Sequence, residues 1–251
     1  MKQNGDHIQY VLDIGAYRGD FTETIKYVWP SAIIKQFEAD ERQAVWLQNN
    51  AFITLLGDED GKIVNYFTVE EKNGVSSTGS SIFKEQTIHY TNNSTVIIKK
   101  EMITLDTLAK SHNFFGNWKD HGLMKLDTQG SELLILKGSS EFLSSKQPKF
   151  ILIECSWYEY NKDSPLFLEV VNELDKLGYK AKDIFDTRTL DDSKIEAIFV
   201  PEQEFEAAKS GEWVSRQHSI AGVPLPGLYA ITPLISGVNG LSALNPALSA
   251  L

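Results

Sequence analysis

Short apolar runs alternate along the first two hundred residues with segments whose apolar residues recur at helical spacing. The apolar runs predict seven strands, at residues 10–14, 32–37, 52–56, 123–126, 150–154, 181–185 and 195–200. Helices are predicted at residues 21–28, 41–49, 131–137 and 166–177, with Pro30 ending the first and Gly178 the last. This alternation is typical of an α/β fold with a largely parallel sheet and helices on both faces.

Two departures from simple alternation refine this picture. The last two strands are joined by a short polar connection, residues 186–194, which has no room for a crossover helix, so these strands are expected to pair antiparallel. A long insertion separates the third strand from the fourth and contains two further predicted strands, residues 62–69 and 94–99. Between them, residues 73–81 are too rich in Gly and Ser for regular structure and are expected to form a solvated loop.

The first strand runs into a glycine turn that opens a helix, an arrangement typical of nucleotide-like cofactor sites. Gly15 lets the backbone approach a ligand closely, and Gly19 lets the helix start near the strand. A dinucleotide fingerprint needs glycine at the position of Asp13, so the pattern D-x-G-x-x-x-G argues against NAD. Glu38 closes the second strand and is placed to accept hydrogen bonds from two ribose hydroxyls.

Four segments, residues 11–19, 37–39, 103–108 and 123–138, resemble the FkbM-type methyltransferases. The last segment, LMKLDTQGSELLILKG, is the most specific, and the resemblance extends from about residue 10 to residue 200. It implies the class I methyltransferase fold, a Rossmann-like sheet of seven strands with an antiparallel terminal hairpin. It also implies S-adenosylmethionine as cofactor and an acceptor hydroxyl on a carbohydrate or a secondary metabolite. The family has a similar Ser-rich segment, so residues 73–81 are alternatively a flexible lid over the cofactor.

In open α/β sheets the ligand lies at the carboxyl ends of the strands, so residues just after strand ends are the site candidates. Among these, Asp58 is a possible acceptor for the adenine amino group, although Asp and Gly also form ordinary turns. The predicted cofactor-binding residues are Asp13, Gly15, Ala16, Tyr17, Gly19, Glu38, Ala39, Asp58 and Asp127. The predicted substrate-binding residues are Gln129, Glu154, Trp157 and Tyr158. The two aromatic rings suit a sugar or another flat acceptor, unless they only pack at the rim.

Methyl transfer to a hydroxyl requires a group that removes the acceptor proton. Asp127 is expected nearest the reacting centre, as this base or as a group that positions the acceptor. Its alternative role is to cap the helix that begins near Ser131. His89 follows the Ser-rich segment and is the second catalytic candidate, with a surface position as the alternative. Asp127, Glu132 and Glu154 are potential magnesium ligands, but no metal site is predicted.

Composition limits the remaining possibilities. A net charge of -10 disfavours nucleic acid, and the first residues lack the apolar run of a secretory signal, so a cytoplasmic location is expected. Cys155 stands within an apolar strand and is expected to be a buried core thiol. Residues 1–205 are predicted to form the methyltransferase domain and residues 206–251 an apolar extension.

The extension has no Asp, Glu, Lys or Arg from residue 217 onwards, yet its prolines exclude a membrane span. It is expected to pack on this domain or to mediate homo-oligomerisation, or alternatively to be disordered. Two rival functions stay open: an NAD- or nucleotide-sugar-dependent enzyme with a similar pocket, and a non-catalytic module that keeps the fold.

Overall fold

A computed structural model describes residues 7–70, 77–87, 90, 95–114, 116–186, 194–203 and 205. Within these residues the strands are β1 Tyr10–Ile14, β2 Ile33–Glu38, β3 Phe52–Ile53, β4 Leu55–Leu56, β5 Ile63–Val69, β6 Thr95–Ile103, β7 Gly122–Leu126, β8 Phe150–Ser156, β9 Tyr179–Asp186 and β10 Lys194–Pro201. The helices are α1 Asp20–Val28, α2 Leu105–Ser111, α3 Trp118–His121, α4 Glu132–Lys137, α5 Ser140–Lys146 and α6 Phe167–Lys176, and Glu41–Trp46 is a 3₁₀ helix.

The main sheet has seven strands in the order β3-β2-β1-β7-β8-β10-β9. Its strands run parallel except for β10, which pairs antiparallel with both β8 and β9. The predicted terminal hairpin is therefore confirmed, as is the class I methyltransferase arrangement that the resemblance implied. The order reverses beside β1, so the carboxyl ends of β1, β2 and β7 open onto one crevice.

The strands of the main sheet consist largely of apolar residues because helices cover both faces of the sheet. In β1, Leu12 joins a core with helices α2, α4, α5 and α6, and Val11 joins the opposite core with α1. The α1 face changes character along the strands. Leu123 and Leu152 are apolar core residues there, whereas Lys125 and Glu154, two positions further along their strands, are charged. The hydrophobic core thus gives way to charged side chains at the carboxyl edge.

Two predicted elements differ from the structure. The single strand predicted at residues 52–56 is divided into β3, which pairs with β2, and β4, which pairs with β6 in a separate sheet of order β4-β6-β5. The helix predicted at residues 41–49 is wrong, since only a 3₁₀ helix forms and ends at Trp46. Beyond it, the buried side chain of Gln36 accepts the backbone N–H of Gln48 at 2.9 Å, a tertiary bond that holds the chain outside a helix.

Other predictions agree with the structure or lie outside it. Both extra strands of the insertion are present as β5 and β6, which pair antiparallel, and Cys155 is buried as expected. His89, residues 71–76 and the predicted extension 206–251 lie outside the described residues. In the part of the chain that the structure describes, no helix has the length and apolar character needed to cross a membrane.

Candidate active site

The glycine turn after β1 is shaped by its contact with the loop after β7. Gly15 has φ 77°, and a Cβ there would lie 1.8 Å from the Asp127 carbonyl oxygen. A side chain at this position is therefore excluded by neighbouring backbone as well as by conformation. Gly19 has φ 85° at the start of α1, where it lies against Gln36. Gly15 is therefore required by the packing of the turn against the loop after β7, in addition to its predicted role of letting a ligand approach the backbone.

Glu38 is held rigidly at the end of β2. One carboxylate oxygen accepts the backbone N–H of Tyr17 at 2.7 Å and the other accepts that of Asp40 at 2.7 Å. Burial raises the pKa of Glu38, although these two hydrogen bonds act in the opposite direction. Each oxygen keeps a second lone pair, so the carboxylate can still accept hydrogen bonds from two ligand hydroxyls.

A first cavity opens beside Glu38. Its lining divides into apolar residues, among them Phe37, Leu55, Leu56 and Ile135, and a larger number of polar residues. The polar lining residues are Glu38, Asp40, Thr54, Ser77, Thr78, Ser80, Ser81, Asp127, Thr128, Gln129 and Ser131. A flat, partly apolar ring next to a diol matches this division, because the ring packs on the apolar residues while hydroxyls face the carboxylate.

The described end of the Ser-rich segment forms one wall of this first cavity. Ser77 and Ser80 line it, and each is tied to the domain, Ser77 by the Gln43 side chain at 3.1 Å and Ser80 by Thr68 at 2.6 Å. Ser81 also exchanges two backbone hydrogen bonds with Phe67, of 2.7 and 3.0 Å. From sequence, a solvated loop and a lid over the cofactor were the two alternatives for this segment, and these hydroxyls were not identified individually.

Asp13 lies beneath the site rather than in it. Its side chain is fully buried, accepts a hydrogen bond from the Thr22 hydroxyl at 2.8 Å and lies 3.4 Å from the Lys125 ammonium. Lys125 also lies 3.4 Å from Asp127 and donates to the Gly15 carbonyl at 2.8 Å. Burial lowers the pKa of Lys125, but the surrounding carboxylates, Asp127 and Asp13 foremost, outweigh it and hold that pKa above its usual range. Lys125 is therefore a fixed positive charge that links β1 to the loop after β7.

The loop from Asp127 to Gly130 is fixed by Glu132, at the start of α4. The buried Glu132 carboxylate accepts the backbone N–H groups of Thr128 at 2.7 Å and of Gly130 at 2.9 Å. Gln129, between them, has a left-handed backbone with φ 59°, and its side chain donates to Asp127 at 2.8 Å. Burial raises the pKa of Glu132 to about 7, and backbone hydrogen bonds, among them the bond from Thr128, oppose the shift. These bonds hold the loop that precedes α4, and the N-cap position of α4, Ser131, has no side-chain cap hydrogen bond.

A second cavity adjoins the first, and both are lined by Gly15, Tyr17 and Asp127. Carboxylates at the edge of three adjacent strands line it. The register places Asp127 after β7 beside Glu154 of β8, and Glu154 opposite Glu196 of β10. The cavity is further lined by Ala16, Arg18, Asp20, Phe21, Lys125, Leu126 and Leu152. Burial, then the charges of Glu154 and Asp127, raise the pKa of Glu196 to about 7.

Sequence reasoning missed Glu196. The pattern did contain an indication of it, because Glu196 is the one charged residue of the apolar run 195–200 in a strand predicted to return antiparallel along the sheet. Antiparallel pairing brings the start of that strand to the edge where the parallel strands end.

Of the other predicted residues, some lie apart from the two cavities and some line them. Asp58 pairs with Lys62 at 3.4 Å and lines neither cavity. Trp157 and Tyr158 follow β8 but are exposed, at 47% and 57%, and Trp157 packs edge-on against Phe167. Ala16 and Glu154 line the second cavity, while Ala39 and Gln129 line the first. Across the described residues, no group of three or more His, Cys, Asp or Glu side chains is arranged to hold a metal ion.

Comparison with known proteins agrees with this geometry. A family model described as the methyltransferase FkbM domain matches residues 13–181, which is well over half of the chain. The chain belongs to the FkbM methyltransferase family. The match includes the glycine turn, Glu38, Asp127 and Glu154, so both cavities of this FkbM methyltransferase lie largely within the family domain. Glu196 lies beyond the matched segment. A search among curated proteins found no match.

The solved structures similar to this chain include methyltransferases. One is the methyltransferase FkbM from Methylobacillus flagellatus KT, at 16% identity and TM-score 0.48, with 78% of this chain covered. The chain spans only 44% of the length of that protein. A second is the magnesium protoporphyrin IX methyltransferase from Synechocystis PCC 6803 with bound S-adenosylmethionine, at 13% identity and TM-score 0.42, covering 78% of this chain and 71% of that one.

Proposed function

We propose that this chain is an O-methyltransferase that binds S-adenosylmethionine and methylates a hydroxyl of a carbohydrate or a secondary metabolite. The observation that carries the proposal is the position of Glu38, which is bonded to the glycine turn and lines a cavity together with apolar side chains. The residues suit the cofactor. Glu38 would hold the ribose hydroxyls, and Phe37, Leu56 and Ile135 would pack against the adenine ring.

Asp127 supports a reacting centre at the junction of the two cavities, because its residue lines both of them. When bound, S-adenosylmethionine supplies an activated methyl group on a sulfonium, so the protein mainly orients the acceptor, excludes water and removes a proton. Asp127 is suited to orienting an acceptor hydroxyl, since Lys125 and Gln129 hold its carboxylate in place. Gln129 and Glu154 would contact the same acceptor, and Trp157 and Tyr158 would present exposed rings to a sugar at the rim. The location that we propose is cytoplasmic.

Binding measurements separate this function from its first rival. Titration calorimetry should give micromolar dissociation constants, equivalent to about -8 kcal/mol, for S-adenosylmethionine and S-adenosylhomocysteine and no saturable binding of NAD. The opposite result would make the chain an NAD-dependent enzyme. A nucleotide-sugar is disfavoured in the first cavity, because the carboxylates of Glu38, Asp40 and Asp127 in its lining would repel the phosphates.

Transfer of label identifies the acceptor and separates an enzyme from a non-catalytic module. The protein is incubated with methyl-labelled S-adenosylmethionine and fractionated glycans and metabolites, and mass spectrometry locates the label. We expect a labelled hydroxyl on a small molecule or glycan. Cofactor binding without transfer to any fraction would favour the interaction module.

A further inference from the structure

The two cavities have different characters, and the difference suggests a division of labour. The first has apolar lining residues and the Glu38 carboxylate, which suits the cofactor. The second is bordered by Asp127, Glu154 and Glu196 and contains the Lys125 ammonium. Because the cavities meet at Gly15 and Asp127, a molecule in the second cavity would lie next to one in the first.

The carboxylates in the second cavity differ in the hydrogen bonds and ion pairs that their oxygens form. Asp127 accepts the Gln129 side-chain N–H at 2.8 Å and lies 3.4 Å from Lys125, so its charge is already compensated. Glu154 accepts a longer contact from the same Gln129 amide at 3.4 Å. Glu196 differs from both, since its Oε2 is buried and receives no hydrogen bond from any described residue.

We infer that Glu196 is a catalytic residue, the group that receives the proton of the acceptor hydroxyl in the second cavity. The inference rests on the methyl transfer proposed above. As the acceptor O–H bond breaks, its proton moves to Glu196 and the oxygen electron pair forms the bond to the methyl carbon. The electron pair of the broken carbon–sulfur bond stays on sulfur, and Glu196 then returns the proton to solvent.

Two physical features adapt Glu196 to this task. It faces Glu154 directly across the β8–β10 pair, and like charges in that arrangement repel, so the pair favours holding one proton. Burial, and after it the charges of Glu154 and Asp127, raise the pKa of Glu196 to about 7, which is near the optimum for a general base at neutral pH. The charged and titratable groups that line the cavity with it are Tyr17 and Arg18 from the glycine turn, Asp20 from the start of α1, Lys125 and Asp127 from β7 and its loop, and Glu154 from β8.

The matched variants are Glu196→Gln, which keeps the shape, and Glu202→Gln as a control. Glu202 lies just beyond the far end of β10 and forms an exposed ion pair with Lys180. Single-turnover transfer of labelled methyl to the acceptor fraction is measured from about pH 5 to pH 9. The wild-type rate should rise to a plateau with a midpoint near 7, and Glu196→Gln should be slower by about 10²- to 10⁴-fold without this rise. Glu202→Gln should behave like wild type.

A second readout does not depend on turnover. Infrared difference spectra between low and high pH should show a protonated carboxyl band that disappears near pH 7 in wild type and is reduced in Glu196→Gln. Calorimetry with S-adenosylhomocysteine should give the same affinity for both proteins. If wild type itself fails to bind S-adenosylhomocysteine, the proposed function is wrong, whereas a failure confined to the pH profile concerns Glu196 alone.

Three results would overturn the inference. The first is rapid transfer by Glu196→Gln with intact cofactor binding. The second is a pH-dependent rise that persists in Glu196→Gln but vanishes in Asp127→Asn, which would make Asp127 the base. The third concerns Glu196→Asp, which keeps an ionisable group with shorter reach and also serves if the Gln variant does not fold. It should recover part of the rate and the rise, and a pH-independent rate in this variant would contradict the role.

Discussion

Glu38 shows how one side chain can be both a structural brace and a binding group. Its two oxygens join the backbone of the glycine turn to the backbone after β2, which fixes the relative position of two loops. The same fixation means that the carboxylate needs no rearrangement when a diol arrives, so little of the binding free energy is lost to ordering.

Replacing Glu38 by Ala should weaken binding of S-adenosylhomocysteine by about 1 to 3 kcal/mol, equivalent to roughly 5- to 150-fold. The loss combines absent contacts to the ribose with two backbone N–H groups left without their acceptor. Titration calorimetry measures it, and Glu41→Ala is the control because Glu41 is an exposed neighbour paired with Lys100. Equal affinities for Glu38→Ala and wild type would place the ribose elsewhere.

Asp127→Asn tests the residue expected nearest the reacting centre. An amide keeps an oxygen that can accept from Gln129 but removes the negative charge facing Lys125. If Asp127 positions the acceptor, transfer should slow by about 10²-fold, while affinity for S-adenosylhomocysteine changes little. Rate and affinity are measured on the same preparation. A normal rate would remove Asp127 from the mechanism.

The candidate residues found from sequence are those that follow parallel strands. Glu38 and Asp127 could be predicted because a carboxylate after an apolar strand falls at the ligand-binding edge of such a sheet. Glu196 lies near the start of β10 and not after its end. It reaches the ligand-binding edge only because β10 runs antiparallel to β8. Asp58 stays a prediction and lines neither cavity, whereas Thr54 and Leu55, where the predicted third strand divides into β3 and β4, line the first cavity.

At the scale of elements, strands could be predicted better than helices. Continuous apolar runs identified the seven main-sheet positions because both sheet faces are buried. Helices α2, α3 and α5 were not predicted. The start of α5 is held by Asp106 of α2, which accepts the backbone N–H groups of Glu141 at 3.0 Å and Phe142 at 2.7 Å. A cap that comes from a residue 35 positions away cannot be recognised in the local sequence. The cap of α2 is local by contrast, since the Thr104 hydroxyl accepts the backbone N–H of Thr107.

The loop after β7 depends on helix α4 through Glu132, so a change there should spread to Asp127. Glu132→Ala removes the acceptor of Thr128 and Gly130 and should lower stability by about 1 to 3 kcal/mol. It should also slow methyl transfer, because Gln129 and with it Asp127 lose their fixed geometry.

The control for Glu132 is Glu169→Ala, which removes a comparable helix-start contact, the bond from the Leu166 backbone N–H at 2.9 Å, on the exposed side of α6. Urea unfolding and transfer rates are compared for both variants. Transfer that is slowed equally by the two substitutions would show that general destabilisation, and not loop geometry, is responsible.

At the scale of the whole molecule, the two cavities and the family match all lie before residue 201. We therefore expect deletion of residues 217–251, which carry no Asp, Glu, Lys or Arg, to change self-association or stability but to leave cofactor affinity intact. Light scattering and calorimetry on the truncated chain are the measurements. Lost binding in a truncation that still folds would show that the extension contributes to the site.

Burial of carboxylates at the sheet edge also gives the whole molecule a pH dependence with a defined sign. Glu132 and Glu196 both have pKa values raised from 4.5 to about 7 in the folded protein. Between pH 4.5 and about pH 7 the folded state binds more protons than the unfolded state. The free energy of unfolding therefore falls as the pH rises through this range, and it stays reduced above the range. The slope is a property of folding and is present without cofactor or acceptor.

The double variant Glu132→Gln/Glu196→Gln removes both titrations. Since one pKa unit corresponds to about 1.4 kcal/mol, the stability lost between about pH 5 and pH 8 should be smaller in the variant than in wild type by about 2 kcal/mol or more. Urea unfolding of the unliganded proteins at the two pH values measures this difference, with Glu169→Gln/Glu202→Gln as the exposed control pair. An unchanged difference would mean that neither carboxyl group takes up its proton on folding, and the proton-accepting role inferred for Glu196 would lose its physical basis.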